Sequence, residues 1–317
     1  MPMQASVADR RAAYSIPEDV LAGLTAPQKS IPSKYLYDAE GSRLFESICL
    51  LPEYYVARTE TALLGQVAKD IAAFVPQDAT LIEFGSGSST KTRLLLEAAP
   101  QIHRYVPIDI CRVVVERAAR TLREHYPHLS VSPLVDDFTQ PLRLPAAAAR
   151  SPLIGFFPGS TIGNFAPDEA VEFLCNARAV LGPGSKFVVG ADLAKPAEVL
   201  IPAYADDQGV TAAFNKNVLT RLNREFDADF DLESFEHLSV WNSVACRIEM
   251  HLVSRQKQRV KIGGWALEFE PGETIHTENS YKHDPAAFAD LAERAGWRVE
   301  ASYLNPSPAF GIFVLAS

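Results

Sequence analysis

The stretch Leu81-Ile82-Glu83-Phe84-Gly85-Ser86-Gly87-Ser88-Ser89-Thr90-Lys91-Thr92 decides the fold, read with Tyr105-Val106-Pro107-Ile108-Asp109 further along. An apolar strand runs into a Gly-Ser-Gly turn, and a helix opens behind it. One strand-helix-strand unit later, an acidic residue closes the next strand. Glycines in such a turn let the backbone approach a ligand, and the carboxylate accepts hydrogen bonds from ribose hydroxyls. The pattern points to an α/β sheet that holds a nucleoside-bearing cofactor at the carboxyl ends of its strands.

Outward from this stretch the alternation continues. Strands are expected at Ala79–Phe84, Arg104–Ile110, Leu129–Asp136, Leu153–Pro158 and Lys186–Leu193, with helices at Lys91–Ala99, Val113–Tyr126 and Asp168–Leu181. This spacing implies a mainly parallel sheet with helices on both faces. Gly182-Pro183-Gly184 is a helix stop and turn. Pro145–Ser151, with its alanine run, reads as a surface connection. The alternation then breaks. Ala213, Phe214, Val218, Leu219, Leu222 and Phe226 mark a long amphipathic helix over Thr211–Phe226. Ala245–Ser254 and Arg259–Glu270 are β-like, and Arg247–Leu252 alternates as a half-exposed strand does. The α/β pattern resumes at Asp284, the cap of a helix over Pro285–Ala295 that Gly296 ends. Arg298–Leu304 and Phe310–Ala316 close the chain as strands. The expected organisation is a cofactor domain over 61–195 and 284–317, and a substrate-binding domain over 1–60 and 196–283.

Bulk properties narrow the function classes. The chain has 317 residues, 47% of them hydrophobic and 22% charged, as in a globular protein. A net charge of -9 argues against a nucleic-acid partner. No apolar run approaches the roughly 18–20 residues that span a bilayer. Met1–Arg11 is polar and lacks the apolar core of a signal peptide. Cys49, Cys111, Cys175 and Cys246 fit neither a zinc spacing nor a disulfide framework, so they read as reduced core residues of a cytoplasmic protein. His237, His251, His276 and His283 form no metal spacing, and no metal is expected. No obligate protein partner is evident.

Four strand ends supply the cofactor candidates: Gly85 and Gly87 on the first, Asp109 on the second, Asp136-Asp137-Phe138 on the third, and Phe157-Pro158-Gly159-Ser160 on the fourth. The dinucleotide fingerprint needs a third glycine or alanine where Thr90 stands, and a P-loop needs glycine immediately before the Lys91-Thr92 pair. Both fail. A cofactor with a ribose and no pyrophosphate fits better, and S-adenosylmethionine is the candidate. Lys91, at the start of the helix, is placed to meet its methionine carboxylate.

The chain also carries longer blocks. Lys34–Phe45, Leu51-Pro52-Glu53-Tyr54-Tyr55, Arg58-Thr59-Glu60, Glu83–Gly87, Phe157–Phe165, Gly190–Leu193, Ala203-Tyr204, Phe214–Leu219, Phe235-Glu236-His237, Trp241-Asn242-Ser243 and Arg247–Met250 occur in order. They resemble the histidine-specific, S-adenosylmethionine-dependent Nα-methyltransferases of ergothioneine biosynthesis, over nearly the whole chain. The resemblance implies a Rossmann-like class I methyltransferase sheet with an inserted substrate-binding domain. It implies trimethylation of the α-amino group of L-histidine to hercynine. It also assigns Gly85, Lys91, Asp109, Asp137 and Phe138 to the cofactor, Asn164 and Tyr204 to the substrate carboxylate, and Tyr54, Glu278 and Ser280 to the imidazole. Tyr37, Phe45 and Met250 match pocket-lining positions. The family pattern Glu-Val-Ser is Glu278-Asn279-Ser280 here, so Asn279 departs from it between two retained polar anchors.

These residue types suit the chemistry. Methyl transfer from a sulfonium is an in-line displacement, so the protein must aim a nitrogen lone pair and exclude water. Tyr37 and Tyr204 are the candidates for holding the neutral amine, and Asn164 can donate to a carboxylate without adding charge. Neutral imidazole offers one donor and one acceptor, which a carboxylate and a hydroxyl can both read. The alternatives are a relative acting on tryptophan or another indole, a cofactor-binding scaffold without catalysis, and a nicotinamide dehydrogenase. Glu278 beside the large Met250 favours histidine over an indole, because a polar site rejects an apolar analogue.

Overall fold

Six strands carry the sheet: β1 (Ala79–Phe84), β2 (Ile102–Asp109), β3 (Leu153–Phe157), β4 (Lys186–Asp192), β5 (Arg298–Pro306) and β6 (Ala309–Ala316). They lie in the order β5-β6-β4-β3-β1-β2, with Ser130–Val131 beyond β2 and Leu134–Val135 also paired to β2. All pairings are parallel except those of β6, which runs antiparallel to both neighbours. The structure, a computed structural model, describes residues 16–146, 148, 151–307 and 309–317. The polar stretch Met1–Arg11 lies outside the described residues, and so does part of Pro145–Ser151.

Strand β1 is buried at all six positions, as a strand covered on both faces must be. It pairs with β2 on one side and β3 on the other, Glu83 lying opposite Pro107 and Phe156. The order of strands reverses at β1, and ligands of open α/β sheets bind at such a switch point. The helices are α1 (Tyr55–Ala72), α2 (Thr90–Ala98), α3 (Arg112–His125), α4 (Pro167–Leu181) and α5 (Pro285–Arg294). Pro167 at its first turn starts α4, the Glu169 carboxylate accepts from the Ala166 N–H at 2.8 Å, and Gly182 ends it at φ 81°. Asp284 caps α5, accepting from Ala286 N–H at 2.9 Å, and Gly296 follows at φ 80°. Phe84, Phe157, Phe173, Phe187 and Trp297 form the core, with Phe157 and Phe173 centroids 4.5 Å apart. The Rossmann-like α/β expectation is borne out.

Two local readings change. Leu129–Asp136 is not one strand but two short ones, interrupted at Ser132-Pro133, where proline has no N–H for the ladder. The cysteines are not uniformly core residues: only Cys111 is buried, and Cys175 and Cys246 are exposed.

The chain forms two compact units. One comprises 49–203, 241–248 and 279–317 and holds the sheet just described; the other comprises 1–48, 204–240 and 249–278. Residues 49–60, 196–203, 241–248 and 279–283 therefore group with the sheet, unlike the division expected from pattern. The second unit contains helices Glu18–Thr25, Ala39–Ile48 and Val210–Phe226. A separate four-stranded sheet runs in the order Lys29–Ser30, Thr274–Tyr281, Arg247–Ser254, Phe235–Asn242, most of it in this unit, with 241–242, 247–248 and 279–281 falling in the first. Burial alternates at every residue of Arg247–Ser254, as its sequence predicts. Arg259–Glu270 resolves into a hairpin, Gln258–Ile262 with Trp265–Phe269, turning at Gly263-Gly264 with φ 50° and 91°.

Candidate functional site

In the sheet unit the strand ends make a cradle. Gly85 and Gly87 take φ 67° and 48°, a region side chains disfavour. A Cβ on Gly85 would lie 3.3 Å from the Phe138 ring, while one on Gly87 would meet nothing within 4 Å. Asp109 stands beside that open turn. Its Oδ2 accepts from the Gly87 N–H and its Oδ1 from the Cys111 N–H, both at 2.9 Å. Burial raises its pKa, and the N–H donors of Cys111, Gly87 and Ile110 pull against that rise. Phe138 packs edge-on to Phe157 and Phe173, at 5.7 and 5.8 Å. Asp137 accepts from the Thr139 N–H at 3.0 Å, fixing the turn that presents both residues. These groups fit a ribose and an aromatic base: a backbone free of side chains, an anchored carboxylate and a ring.

Directly beneath the turn, Glu83 is wholly buried and accepts from Thr92 Oγ1 at 2.5 Å and from the Tyr105 hydroxyl. Burial pushes its pKa up to about 8. The unfolded chain releases this proton near the ordinary glutamate value of about 4.3, whereas the folded chain keeps it to about pH 8. Stability therefore falls as pH rises across that window, by about 1.4 kcal/mol per pH unit from this group. Glu83→Gln should flatten the decline, which urea denaturation at pH 5 to 8 would measure; an unchanged slope would rule the assignment out.

Lys91 is not left facing solvent. Its ammonium pairs with Glu60 of α1, and the Glu60 carboxylate also accepts the Gly159 N–H at 2.8 Å. A Cβ on Gly190 would lie 2.0 Å from Glu60 Oε1, so glycine there makes room for this carboxylate. Glu60 ties the helix-start lysine to the turn after β3. Glu60 stands within the Arg58-Thr59-Glu60 block, where spacing alone does not mark it for this role.

The turn after β3 leads to Asn164. Ser160 takes φ 58° and its Oγ accepts from the Asp192 N–H at 2.9 Å. A Cβ on Gly163 would sit 2.8 Å from the Tyr281 carbonyl, so this turn lies tight against the end of strand Thr274–Tyr281. That strand's exit runs beside β4: Leu193 and His283 form a parallel bridge, and His283 N–H donates to the Asp192 carbonyl at 2.9 Å. Asp192 thereby meets Tyr55 Oη at 2.6 Å, Lys282 Nζ at 2.9 Å and Lys195 Nζ at 2.5 Å. Lys282 Nζ also donates to Ser280 Oγ at 2.7 Å. None of Tyr55, Asp192, Lys195 and Lys282 was assigned a role from sequence. Tyr54 begins α1 and is buried.

In the second unit, the Tyr37 hydroxyl donates to Glu278 Oε1 at 3.1 Å, and Glu278 is buried. The Tyr37 ring packs edge-on against Phe45 at 5.7 Å and Phe214 at 5.4 Å. His237 holds the Tyr204 carbonyl at 2.8 Å through Nε2 and faces Asn215 Nδ2 at 2.9 Å through Nδ1. The Asn215 amide nitrogen also donates to the His251 carbonyl, which fixes its orientation, so His237 Nδ1 must accept and the ring is neutral. Burial lowers the His237 pKa in the same sense. Thr277 Oγ1 lies 2.6 Å from Asn215 Oδ1 and 3.0 Å from the carbonyl of the buried Met250. Tyr37, Phe45 and Glu278 are thus brought together; Tyr204 and Met250 are tied to one hydrogen-bonded network through Asn215. Strand alternation turns the Asn279 side chain to the face opposite Glu278 and Ser280, and its Oδ1 is buried without a hydrogen-bond partner. Among the described residues no His, Cys, Asp or Glu group could hold a metal ion, and no helix is long and apolar enough to cross a membrane.

The strand order with one antiparallel member, and the glycine turn facing a strand-end carboxylate, define a Rossmann-like class I methyltransferase. The family described as histidine-specific, S-adenosylmethionine-dependent methyltransferase matches residues 16–317, and the chain belongs to it. It is an S-adenosylmethionine-dependent enzyme. The chain is 43% identical over 308 residues to the histidine N-alpha-methyltransferase of Mycolicibacterium smegmatis, covering 95% of this chain and 94% of that one. It is 38% identical over 304 residues to the enzyme of the same name from Mycobacterium tuberculosis, covering 94% of each. It is 29% identical over 302 residues to a 4-dimethylallyltryptophan N-methyltransferase of Trichophyton verrucosum, covering 90% of this chain and 88% of that one.

Proposed function

We propose that this chain transfers three methyl groups in turn to the α-amino nitrogen of L-histidine, giving hercynine. The observation that carries the reading is the buried Glu278 carboxylate, held by Tyr37 and followed on the same strand face by Ser280. A carboxylate accepts from an imidazole N–H, and a hydroxyl donates to the other ring nitrogen. An indole has a donor but no acceptor, so it would leave the hydroxyl unmet and would cost affinity. The two mycobacterial relatives support histidine; the 4-dimethylallyltryptophan relative marks the indole alternative.

In this reading Gly85, Asp109, Asp137 and Phe138 hold the nucleoside, and Lys91, steadied by Glu60, meets the methionine carboxylate. The bound cofactor supplies an electrophilic methyl carbon on sulfur. The protein supplies position. By resemblance, Asn164 and Tyr204 serve the histidine carboxylate and Tyr54 the imidazole, and Phe45 and Met250 are lining positions. Because Tyr37 gives its proton to Glu278, its oxygen keeps lone pairs that can accept an amine N–H. That orients the neutral amine with its own lone pair available. Tyr204 serves the same amine, held in place by His237. Four free cysteines support a reducing compartment, and we place the protein in the cytoplasm.

Mass spectrometry of histidine incubated with enzyme and S-adenosylmethionine tests this. Additions of one, two and three methyl groups are expected, with no mass change in tryptophan. Methylated tryptophan with unchanged histidine would overturn the proposal.

A further inference from the structure

We propose that Ser89 and Ser160 are positioning residues, each locking one of the turns that leave the sheet: Ser89 sets Lys91 for the cofactor, and Ser160 sets Asn164 for the histidine carboxylate. This rests on the reading of Lys91 and Asn164 as those contacts. Among the described residues, five other than glycine take left-handed backbone angles: Asp78, Ser89, Ser160, Asp227 and Cys246. Only the two serines are buried, at 2% and 4% exposure. Glycine adopts this conformation freely, whereas a side chain strains it. A buried serine kept there needs a compensating contact, and capping, the usual task of serine ahead of a helix, is not it. Ser89 precedes α2 and Ser160 precedes the turn Thr161–Asn164, and neither side chain makes a capping bond.

Each hydroxyl instead reaches the neighbouring strand. Ser89 Oγ lies 2.9 Å from the Tyr105 hydroxyl of β2, which donates in turn to Glu83 of β1. Thr92 Oγ1 donates to the same Glu83 oxygen at 2.5 Å. Lys91 therefore stands between two residues that are both tied back to the sheet, and its ammonium pairs with Glu60. Backbone and tip are held separately, so the lysine is aimed before a ligand arrives. In the turn after β3, Ser160 Oγ accepts the Asp192 N–H at the end of β4, at 2.9 Å. The Ser160 carbonyl accepts the Gly163 N–H at 2.9 Å, which carries that anchor to the residue before Asn164. Gly159 is held independently, by Glu60. Loss of the Ser160 hydroxyl should thus disturb the chain after it, toward Asn164, and spare the Glu60–Lys91 pair behind it. The two turns share one device and serve different ligands.

Isothermal titration tests this, with S-adenosylhomocysteine as the cofactor probe so that no turnover occurs. Ser89→Gly should raise the Kd of S-adenosylhomocysteine about fivefold and that of histidine less than twofold; Ser160→Gly should do the reverse. Thermal melting separates positioning from stability. Each glycine variant should melt within about 3 °C of the unaltered enzyme, because relief of the backbone offsets the lost bond. Ser89→Ala and Ser160→Ala keep the strain and lose the bond, so they should melt lower, with the same losses of affinity as the glycines. A glycine variant with both affinities intact would make its serine structural and overturn the proposal, as would equal loss of both ligands. In a Tyr105→Phe background, Ser89→Gly should change the cofactor Kd less than twofold, since the hydroxyl's partner is already gone. An undiminished effect there would also overturn it. Lys91→Met and Asn164→Ala are the references. Unchanged S-adenosylhomocysteine binding in the first, or unchanged histidine binding in the second, would bring down the assignment of that contact and this inference with it. Losses in both references without losses in the serine variants would end this inference alone.

Discussion

Glu278→Ala should weaken histidine binding about a hundredfold, the loss of a charge-assisted hydrogen bond in a buried site. Binding of S-adenosylmethionine should change less than twofold. The reason for the split lies in what Glu278 touches. It accepts from Tyr37, whose ring packs against Phe45 and Phe214, and it has no part in the glycine turn or the Asp109 anchor. Removing the carboxylate also takes away an acceptor that orients the Tyr37 hydroxyl, so the group that faces the amine is held less firmly. Methylation of any histidine that does bind should slow as well. Isothermal titration with each ligand separately measures the split. Equal losses for both ligands would show that Glu278 supports the fold and does not read the substrate.

Asp109→Ala should act in the opposite sense, weakening S-adenosylmethionine by about 2 kcal/mol or more, roughly thirtyfold. The carboxylate is anchored at both oxygens by backbone N–H groups, so it is oriented before any ligand arrives. Alanine removes the ribose acceptor and leaves the Gly87 and Cys111 N–H groups without their partner. Asp109→Asn separates these effects: its amide oxygen can keep one backbone bond while the charge is lost, so an intermediate loss is expected. Titration of the cofactor against both variants gives the order. Wild-type affinity in Asp109→Ala would contradict the ribose assignment.

Much of the sheet was legible because its strands are continuous apolar runs bounded by glycine turns. Ala79–Phe84 was read to the residue, and Lys186–Asp192 to within one. The capped helix at Asp284 was legible for the same local reason. Helix α1 was not read, although Val56, Leu63, Leu64, Ala68 and Ile71 recur at helical spacing. It opens on Tyr54 without a side-chain cap, and Thr59 and Glu60 stand on its buried side where apolar residues would be sought. The burial of Glu60 follows from the Lys91 ion pair and the Gly159 N–H, which only the folded chain brings together. Strands Phe235–Asn242 and Thr274–Tyr281 were also missed, each carrying polar residues in its buried positions or apolar ones in its exposed positions. The unit boundaries escaped because the chain passes repeatedly between the units, with strands continuing across the divisions.

Strand Thr274–Tyr281 has a consequence for how such an enzyme could change its diet. Its acid and its alcohol sit two residues apart, on one side of a ribbon whose sides alternate. Point substitutions at 278 or 280 can retune what is recognised while leaving the ribbon intact. A single inserted or deleted residue immediately upstream could not, since it would exchange both readers for their neighbours at once. Divergence among such enzymes should therefore proceed by replacement within this ribbon, with changes in length confined to the loops outside it.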